Sequence, residues 1–309
     1  MAPHPHELEK PKPRPQRSKL VGEISEGGRL RDRKRGRMPS SRSTWLPACA
    51  LAIVGLAVAP ARADTTLNIA GSTTLLPMLS EAAQAYEAAH DNISIIVTGG
   101  GSRPAIARVV SKDIDMAASD VPVSGGPGDL VDNRIAIISF AFAVDPRAGI
   151  KNLTRAKMGD VLAGRVQNWK DVGGNDLPIV VINRPVGSGV RELVAQRIMD
   201  GAKFSGRALE DESTSSLVND LKNTPGSIGY ASFLSLRDSG LTLVGLDGAA
   251  PTDENVQNGS YPLWAFEHII TSGPPTREES RFLAFLETNR TLLHRHGYIA
   301  IRDLNVASP

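Results

Sequence analysis

Residues 179–190 read Ile-Val-Val-Ile-Asn-Arg-Pro-Val-Gly-Ser-Gly-Val and pass from an apolar run through a glycine turn into a helical pattern. The apolar residues at 179–182 predict a buried strand, and residues Val190–Met199 predict a helix. The first turn of such a helix leaves unpaired N–H donors and carries about half a positive charge, so it favours an anion. This stretch therefore predicts an α/β unit with an anion site at its strand-to-helix turn.

Two other glycine turns repeat this arrangement nearer the N-terminus. They are Gly71-Ser72-Thr73-Thr74 and Gly99-Gly100-Gly101-Ser102, and each lies between a predicted strand and a predicted helix. Ser and Thr are common helix N-caps, so ordinary capping would explain any one of these turns alone. Three turns with hydroxyl groups at matching places predict donors that converge on one tetrahedral oxyanion.

Strand and helix patterns alternate along the rest of the chain. The predicted strands are 66–70, 93–97, 114–118, 135–144 and 179–182, and the predicted helices are 75–90, 104–111, 190–199 and 278–296. This alternation predicts an α/β fold with mixed, largely parallel sheets and helices on both faces.

The formal charge of the chain changes sign when its first residues are set aside. The 309 residues carry a net charge of +2, but residues 1–63 hold 13 of the 35 Lys and Arg and only 5 of the 33 Asp and Glu. The remaining residues therefore carry a net charge of −6. We interpret the basic, Pro-rich residues 1–37 as a solvated, disordered or non-native extension, not as a nucleic-acid-binding segment.

Residues 38–63 have the layout of a signal peptide. Met38 opens the segment, Trp45–Val58 is too short for a membrane span, and Ala61-Arg62-Ala63 is a small-x-small cleavage signal. We expect cleavage near Ala63/Asp64 and a periplasmic mature protein. Cys49, the single cysteine, precedes the apolar stretch instead of following it, which argues against lipidation. Its removal excludes thiol catalysis, disulfides and cysteine metal sites in the mature protein.

Two charged residues end predicted strands next to these turns. Arg184 precedes the Gly187-Ser188-Gly189 turn by three residues, where its planar guanidinium could bind two anion oxygens. Asp120 follows the apolar strand at 114–118. Spacing alone leaves open that Arg184 is a surface residue and that Asp120 is a cap or turn residue.

Taken in order, the motifs of the mature chain resemble those of the phosphate-binding proteins of phosphate ABC importers, a group of type II periplasmic binding proteins. The resemblance covers most of residues 65–305. It rests on Gly71-Ser72-Thr73-Thr74, Gly101-Ser102, the run Ile114–Asp120, the run Gly164–Trp169, Arg184 with Gly187-Ser188-Gly189, and the run Gly226–Tyr230.

The resemblance implies a two-lobed architecture and a binding function without catalysis. Lobe 1 would comprise residues 65–143 plus 243–309 and lobe 2 residues 144–242, with crossings near Val144–Asp145 and Leu241–Leu243. A monomer of this kind captures inorganic phosphate between its lobes and presents it to an ABC permease in the inner membrane. No cofactor or metal is implied.

The resemblance also assigns the ligand-binding groups. They are the hydroxyl of Thr73, the N–H of Thr74, Ser102, Asp120, Arg184, Ser188 and the N–H groups of Gly189 and Val190. Val190 stands where the family usually has a threonine, so one hydroxyl donor is missing. That departure predicts lower affinity or a different anion, such as sulfate, molybdate or tungstate.

Asp120 carries the prediction of selectivity. Phosphate keeps at least one proton at neutral pH and can donate it to a carboxylate, whereas sulfate has none to donate. Sites built around a required hydrogen bond reject analogues that lack it by roughly 10⁴–10⁵ in other systems. Asp120 therefore favours phosphate over sulfate.

An enzyme, such as a secreted phosphatase or serine hydrolase, is the rival class. The sequence contains no Gly-x-Ser-x-Gly, no Gly-Lys-Ser/Thr and no His-x-x-x-His motif. The four histidines of the mature chain are predicted to be isolated surface residues, and Trp169, Tyr230 and Trp264 are predicted to pack in the interior. We therefore predict a binding protein and not an enzyme.

Overall fold

The computed structural model describes residues 65–123 and 129–303. The predictions for residues 1–37, for residues 38–63 and for cleavage near Ala63/Asp64 lie outside the described residues. The strands are β1 Thr65–Gly71, β2 Ile93–Thr98, β3 Met116–Ser119, β4 Leu130–Val144, β5 Asn152–Leu153, β6 Val180–Asn183, β7 Leu209–Glu210, β8 Ser227–Ser232, β9 Thr242–Leu246, β10 Trp264–Ser272 and β11 Tyr298–Ile299. The helices are α1 Leu76–Glu87, α2 Ser102–Val110, α3 Arg155–Leu162, α4 Gly189–Ile198, α5 Thr214–Asn223, α6 Phe233–Arg237, α7 Asp253–Gln257, α8 Arg277–Thr288 and α9 Arg290–Arg295.

The long strand β4 connects two groups of strands in the order β2-β1-β3-β10-β4-β8-β6-β7. Up to Ser139 it pairs with β10, and from Phe140 onward it pairs with β8 and β9. We call β1, β2, β3, β10 and β11 with their helices the first group, and β5 to β9 with theirs the second group. Every antiparallel pair among the described strands includes β4 or β10.

The mixed α/β class is confirmed, although parallel pairing is less dominant than the alternating pattern predicts. Of the ten strand pairings in residues 65–123 and 129–303, five are parallel, because β10 and β4 run against their neighbours. The predicted helix at 278–296 is two helices, α8 and α9. Asn289 interrupts it, since its side-chain oxygen accepts a hydrogen bond from the N–H of Leu292 at 3.1 Å and caps α9.

The lobe boundaries stay a prediction, but strand pairing suggests different positions for them. β4 changes partners between Ser139 and Phe140, a few residues before the predicted crossing at Val144–Asp145. β9 pairs with β4 and β5, so residues 243–246 lie with the second group. The return to the first group then falls between β9 and β10.

The interior contains the three aromatic residues that were predicted to pack. Trp169 and Tyr230 are fully buried and Trp264 is nearly so. The prediction that the histidines lie on the surface is wrong for His268. It is 2% exposed, and its Nδ1 lies 2.6 Å from Oδ1 of Asp132 on the neighbouring strand. Its place in β10, opposite β3, explains the burial.

Helix α1 shows how the spacing of apolar residues holds the first glycine turn in position. Its buried residues recur on one face, at Met78, Leu79, Ala82, Ala83 and Tyr86, and Pro77 occupies its first turn, where the missing N–H costs nothing. The burial of this face holds the preceding turn at the end of β1. Among the described residues, no helix is both long enough and apolar enough to cross a membrane.

Candidate anion site

The three glycine turns of the sequence meet in one place and are hydrogen-bonded to one another. The N–H of Gly101 donates to the carbonyl of Gly71 at 2.9 Å, and the N–H of Arg103 donates to the carbonyl of Gly187 at 3.0 Å. The first two turns belong to the first group of strands and the third to the second group. The convergence that the sequence suggested is therefore present in the fold.

Gly71 is required by the close approach of β1 to β3. Its φ is +145°, and a Cβ there would overlap the carbonyl oxygen of Ala118. The N–H of Ser72, the next residue, donates to the same carbonyl at 2.9 Å. This contact places the first turn beside the end of β3, where Asp120 follows.

Asp120 is 3% exposed and lies between the first two turns. Its Oδ1 accepts a hydrogen bond from Ser72 Oγ at 2.5 Å, and its Oδ2 accepts one from Ser102 Oγ at 3.2 Å. Burial raises the pKa of Asp120, while the bonds from these serines and the charge of Arg184 act in the opposite direction. The carboxylate is thus a fixed, nearly dry acceptor.

Arg184 is 2% exposed and makes hydrogen bonds only to neutral oxygens among the described residues. Its Nε donates to the carbonyl of Asp211 at 2.8 Å, and its Nη2 donates to the carbonyl of Glu212 at 2.9 Å and to Thr73 Oγ1 at 3.1 Å. Within the described ranges no carboxylate lies within salt-bridge distance of it.

Burial lowers the pKa of the Arg184 guanidinium, and the negative charge of Asp120 partly reverses that effect. An arginine keeps its proton under such conditions. A buried cation without a directly bonded carboxylate is costly to maintain, because its lost hydration is only partly replaced by neutral dipoles. The site therefore favours an anion.

The N-terminus of α4 completes the site from the second group. Ser188 caps the helix, with its Oγ accepting from the N–H of Arg191 at 3.4 Å. The N–H groups of Gly189 and Val190 belong to the first turn, where no preceding helical carbonyl can accept from them. A Cβ on Gly189 would overlap Ser102 Oγ and lie 2.8 Å from Oδ2 of Asp120, so α4 begins directly against the acidic side of the site.

Two of the predicted contributions differ in detail. The N–H of Thr74 donates to Ser72 Oγ at 3.1 Å, because a serine directly after Gly71 caps its own turn. The hydroxyl of Thr73 accepts from Arg184 and from the N–H of Thr214, the latter at 3.3 Å. The side chain of Val190 packs in the hydrophobic core, which leaves its N–H as its contribution to the site.

Three residues of the site were missed by the sequence reasoning. Ser72 lies in a quoted turn but received no role, and Thr214 opens α5 within the hydroxyl-rich run 213–216. Glu267 lies on β10 next to Asp120, fully buried, and neither of its carboxyl oxygens has a hydrogen-bond partner in the described part of the chain. A single glutamate in the apolar stretch 263–270 was the signal that could have found it.

The mouth of the site is bridged by an ion pair. Arg103, in the first turn of α2, donates through Nε to Oε2 of Glu192 on α4 at 2.7 Å. A cavity of about 190 Å³ borders Asp120 and is lined by Arg134, Arg197 and His268 among others. No cluster of three or more His, Cys, Asp or Glu suited to a metal occurs in residues 65–123 and 129–303.

Comparison with known proteins gives consistent results. The family model of the PBP superfamily domain matches residues 57–289. The chain is 31% identical over 252 residues to the phosphate-binding protein PstS of Bacillus subtilis, covering 79% of this chain and 84% of that protein.

Two solved structures are also similar. A candidate phosphate ABC transporter substrate-binding protein with bound phosphate from Clostridium perfringens has a TM-score of 0.72 at 24% identity, covering 76% of this chain and 99% of that one. An ABC-type phosphate transport receptor from Vibrio cholerae has a TM-score of 0.64 at 26% identity, covering 75% and 99%.

Proposed function

Since the chain belongs to the PBP superfamily and is a relative of the phosphate-binding proteins PstS, we propose that it captures inorganic phosphate and delivers it to an ABC import permease. It acts by binding alone, as a monomer without cofactor or metal. The signal-peptide pattern of residues 38–63 supports a periplasmic location.

Arg184 is the observation that carries this proposal. Its guanidinium is buried, bonds only to neutral oxygens in the described part of the chain, and lies in the loop that leads to the N-terminus of α4. A bound oxyanion would provide the missing negative charge and accept from the N–H groups of Gly189 and Val190. The hydroxyls of Thr73 and Ser188 would donate to further oxygens, and Ser102, which donates to Asp120 in this structure, would turn its hydroxyl to another.

Asp120 supplies the preference for phosphate over sulfate. A buried carboxylate that accepts a hydrogen bond from Ser72 can accept another, from a hydrogen phosphate O–H. A sulfate oxygen at the same place would meet a like charge with no proton between. Neutral donors and Arg184 thus attract the oxyanion, and Asp120 selects the protonated one.

Capture would be coupled to closure of the two groups of elements as two lobes. Contacts that cross between them include Arg184 with Thr73 and Arg103 with both Gly187 and Glu192. We place the crossings at Ser139–Phe140 and between β9 and β10. A ligand that touches both lobes shifts the equilibrium toward the closed form, which is the form offered to the permease.

Isothermal titration of the purified protein with phosphate, sulfate, molybdate and tungstate tests the proposal. We expect phosphate to bind most tightly, and we expect Asp120→Asn to lower the ratio of phosphate to sulfate affinity by about tenfold or more. Unchanged selectivity in Asp120→Asn would remove the assigned role of Asp120. Tighter binding of another oxyanion would identify that anion as the ligand. Val190, which stands where the family usually has a threonine, is the reason to include the other anions.

Hydrolysis of a chromogenic phosphate ester by the same preparation separates binding from catalysis. We expect none above the buffer rate, because Ser72 and Ser102, whose hydroxyls donate to Asp120, have no histidine or lysine among their hydrogen-bond partners in the described residues. Turnover that disappears in Arg184→Met would overturn the proposal in favour of a phosphatase.

A further inference from the structure

Glu267 is a buried acid that the proposed binding mechanism does not use. It lies on β10, one residue before His268. His268 pairs with Ser119 at the end of β3, and Asp120 is the residue after Ser119. Its side chain is fully buried, and no donor among the described residues gives a hydrogen bond to either carboxyl oxygen. An ionised carboxylate in such a place would be an unpaired charge removed from water, which is strongly unfavourable.

The groups around Glu267 are few, and they determine which acid holds a proton. Asp120 faces it from the loop after β3, and Tyr298 faces it from β11, with its hydroxyl donating to the carbonyl of Thr74 at 2.9 Å. On its own strand, His268 is paired with Asp132. The charge of Arg184 acts on Asp120 and is not among the influences on Glu267.

Two neighbouring buried carboxyl groups cannot both ionise, so the pair keeps one proton. Asp120 has Ser72, Ser102 and Arg184 to stabilise its negative charge. Glu267 has no such donors, and burial together with the negative charge of Asp120 raises its pKa well above the usual range. The proton therefore belongs to Glu267.

We propose that Glu267 is a positioning residue that remains a neutral carboxylic acid at neutral pH and directs its O–H at Asp120. This inference rests on the proposed function, because it explains how Asp120 stays ionised in a dry site. An ionised Asp120 can only accept, so the ligand must bring the proton. A protonated Asp120 would itself donate and would lose the distinction between phosphate and sulfate.

The sign of a pH shift tests this assignment. In Glu267→Leu the donor to Asp120 is lost, so the pKa of Asp120 rises. The loss of phosphate affinity at acid pH should then begin about one pH unit higher than in the wild type. Glu267→Gln keeps an N–H donor without charge and should follow the wild-type curve. If Glu267 were ionised instead, either variant would remove a negative charge and move the curve to lower pH.

Titration with phosphate and with sulfate from about pH 4.5 to about pH 8 provides the measurement. This range includes the raised pKa values that buried carboxyl groups show. Glu279→Gln is the matched control, because Glu279 is also a buried glutamate but accepts from the N–H of Thr276 at 2.6 Å as a helix cap. We expect this control to leave the pH curve unchanged.

Infrared difference spectra supply a readout that a purely structural role would not produce. The wild type near neutral pH should contain the carbonyl stretch of a protonated carboxylic acid. That band should vanish in Glu267→Gln and persist in Glu279→Gln. A spectrum without this band, or a Glu267→Leu curve that does not move or moves to lower pH, overturns the inference. Failure of the wild type to bind phosphate at all would instead overturn the proposed function.

Discussion

The two sides of the candidate site are built from opposite chemistry. The first group of elements supplies Ser72, Ser102 and Asp120, and places Glu267 behind them. The second group supplies Arg184 and the N-terminus of α4, which are donors only. One side is an acid network that accepts a hydrogen bond from the ligand, and the other is a cationic surface that donates to its oxygens.

This difference separates affinity from selectivity. Donors on the second group would bind any tetrahedral oxyanion, whatever its protonation state. The acid network adds little attraction and much discrimination, since it disfavours an anion that has no proton to share. Mutations on the two sides should therefore change different quantities.

Arg184→Met is expected to have the largest effect, a loss of about 10²–10³-fold in phosphate affinity, since a buried charge partner is removed. Arg184→Lys should recover only part of it, because an ammonium cannot match the planar fork. Titration calorimetry measures both. Arg207→Met, an exposed arginine of the second group, is the control and should bind like the wild type. Phosphate affinity within threefold of the wild type in Arg184→Met (about 0.65 kcal/mol) would contradict the assignment of the cationic side.

Gly189→Ala should follow, with affinity reduced by about 10²-fold, because the new methyl group collides with Ser102 and Asp120 when the two sides meet. Gly206→Ala is its matched control, since a Cβ there has no neighbour within 4 Å. Phosphate titration and small-angle scattering with and without ligand would measure affinity and closure. Equal phosphate affinity and equal closure in the two variants would mean that Gly189 does not contact Ser102 and Asp120 in the bound state.

The acid network should reveal itself in the pH dependence of stability. The folded state keeps a proton on Glu267 that the unfolded chain releases above its ordinary pKa, so the free energy of unfolding falls as pH rises. The slope approaches about 1.4 kcal/mol per pH unit. In Glu267→Gln the free energy of unfolding should depend less on pH between about pH 5 and pH 8, which lies above the ordinary carboxyl pKa. Urea unfolding at a series of pH values measures it. A steeper slope in the variant would contradict the raised pKa.

Val190→Thr should have the smallest effect. A threonine hydroxyl could give the ligand one more donor, worth a severalfold gain in affinity, roughly 1 kcal/mol. Val190 packs in the core, so the same hydroxyl should lower the free energy of unfolding by about 1 kcal/mol. Calorimetry and thermal unfolding measure the two effects. A loss of phosphate affinity in Val190→Thr would show that phosphate binding requires an apolar side chain at residue 190.

The sequence predicted the donor side of the site better than the acid side. Arg184, Ser188 and Gly189 are consecutive or nearly so, and a helix N-terminus is a local feature that motif spacing reveals. The contact between Asp120 and Ser72 joins residues 48 positions apart. Glu267 approaches Asp120 only because β10 returns between β3 and β4. Local patterns cannot reveal pairings of that kind.

The same reasoning accounts for the details that differ. Alternating apolar runs predicted β1, α1 and β2 to within a few residues, because each buries one face locally. The burial of His268 and the antiparallel direction of β10 depend on topology, which the runs do not encode. The break at Asn289 reflects a cap that competes with helix continuation.

The position of β10 also sets an order of events during synthesis. β10 is the tenth of the eleven described strands in chain order, yet it lies between β3 and β4. Until residues 264–272 leave the ribosome, β3 and β4 lack their shared neighbour, and the loop that carries Asp120 has no support on that side. The residues of β1 to β9 have therefore all left the ribosome before the anion pocket can form.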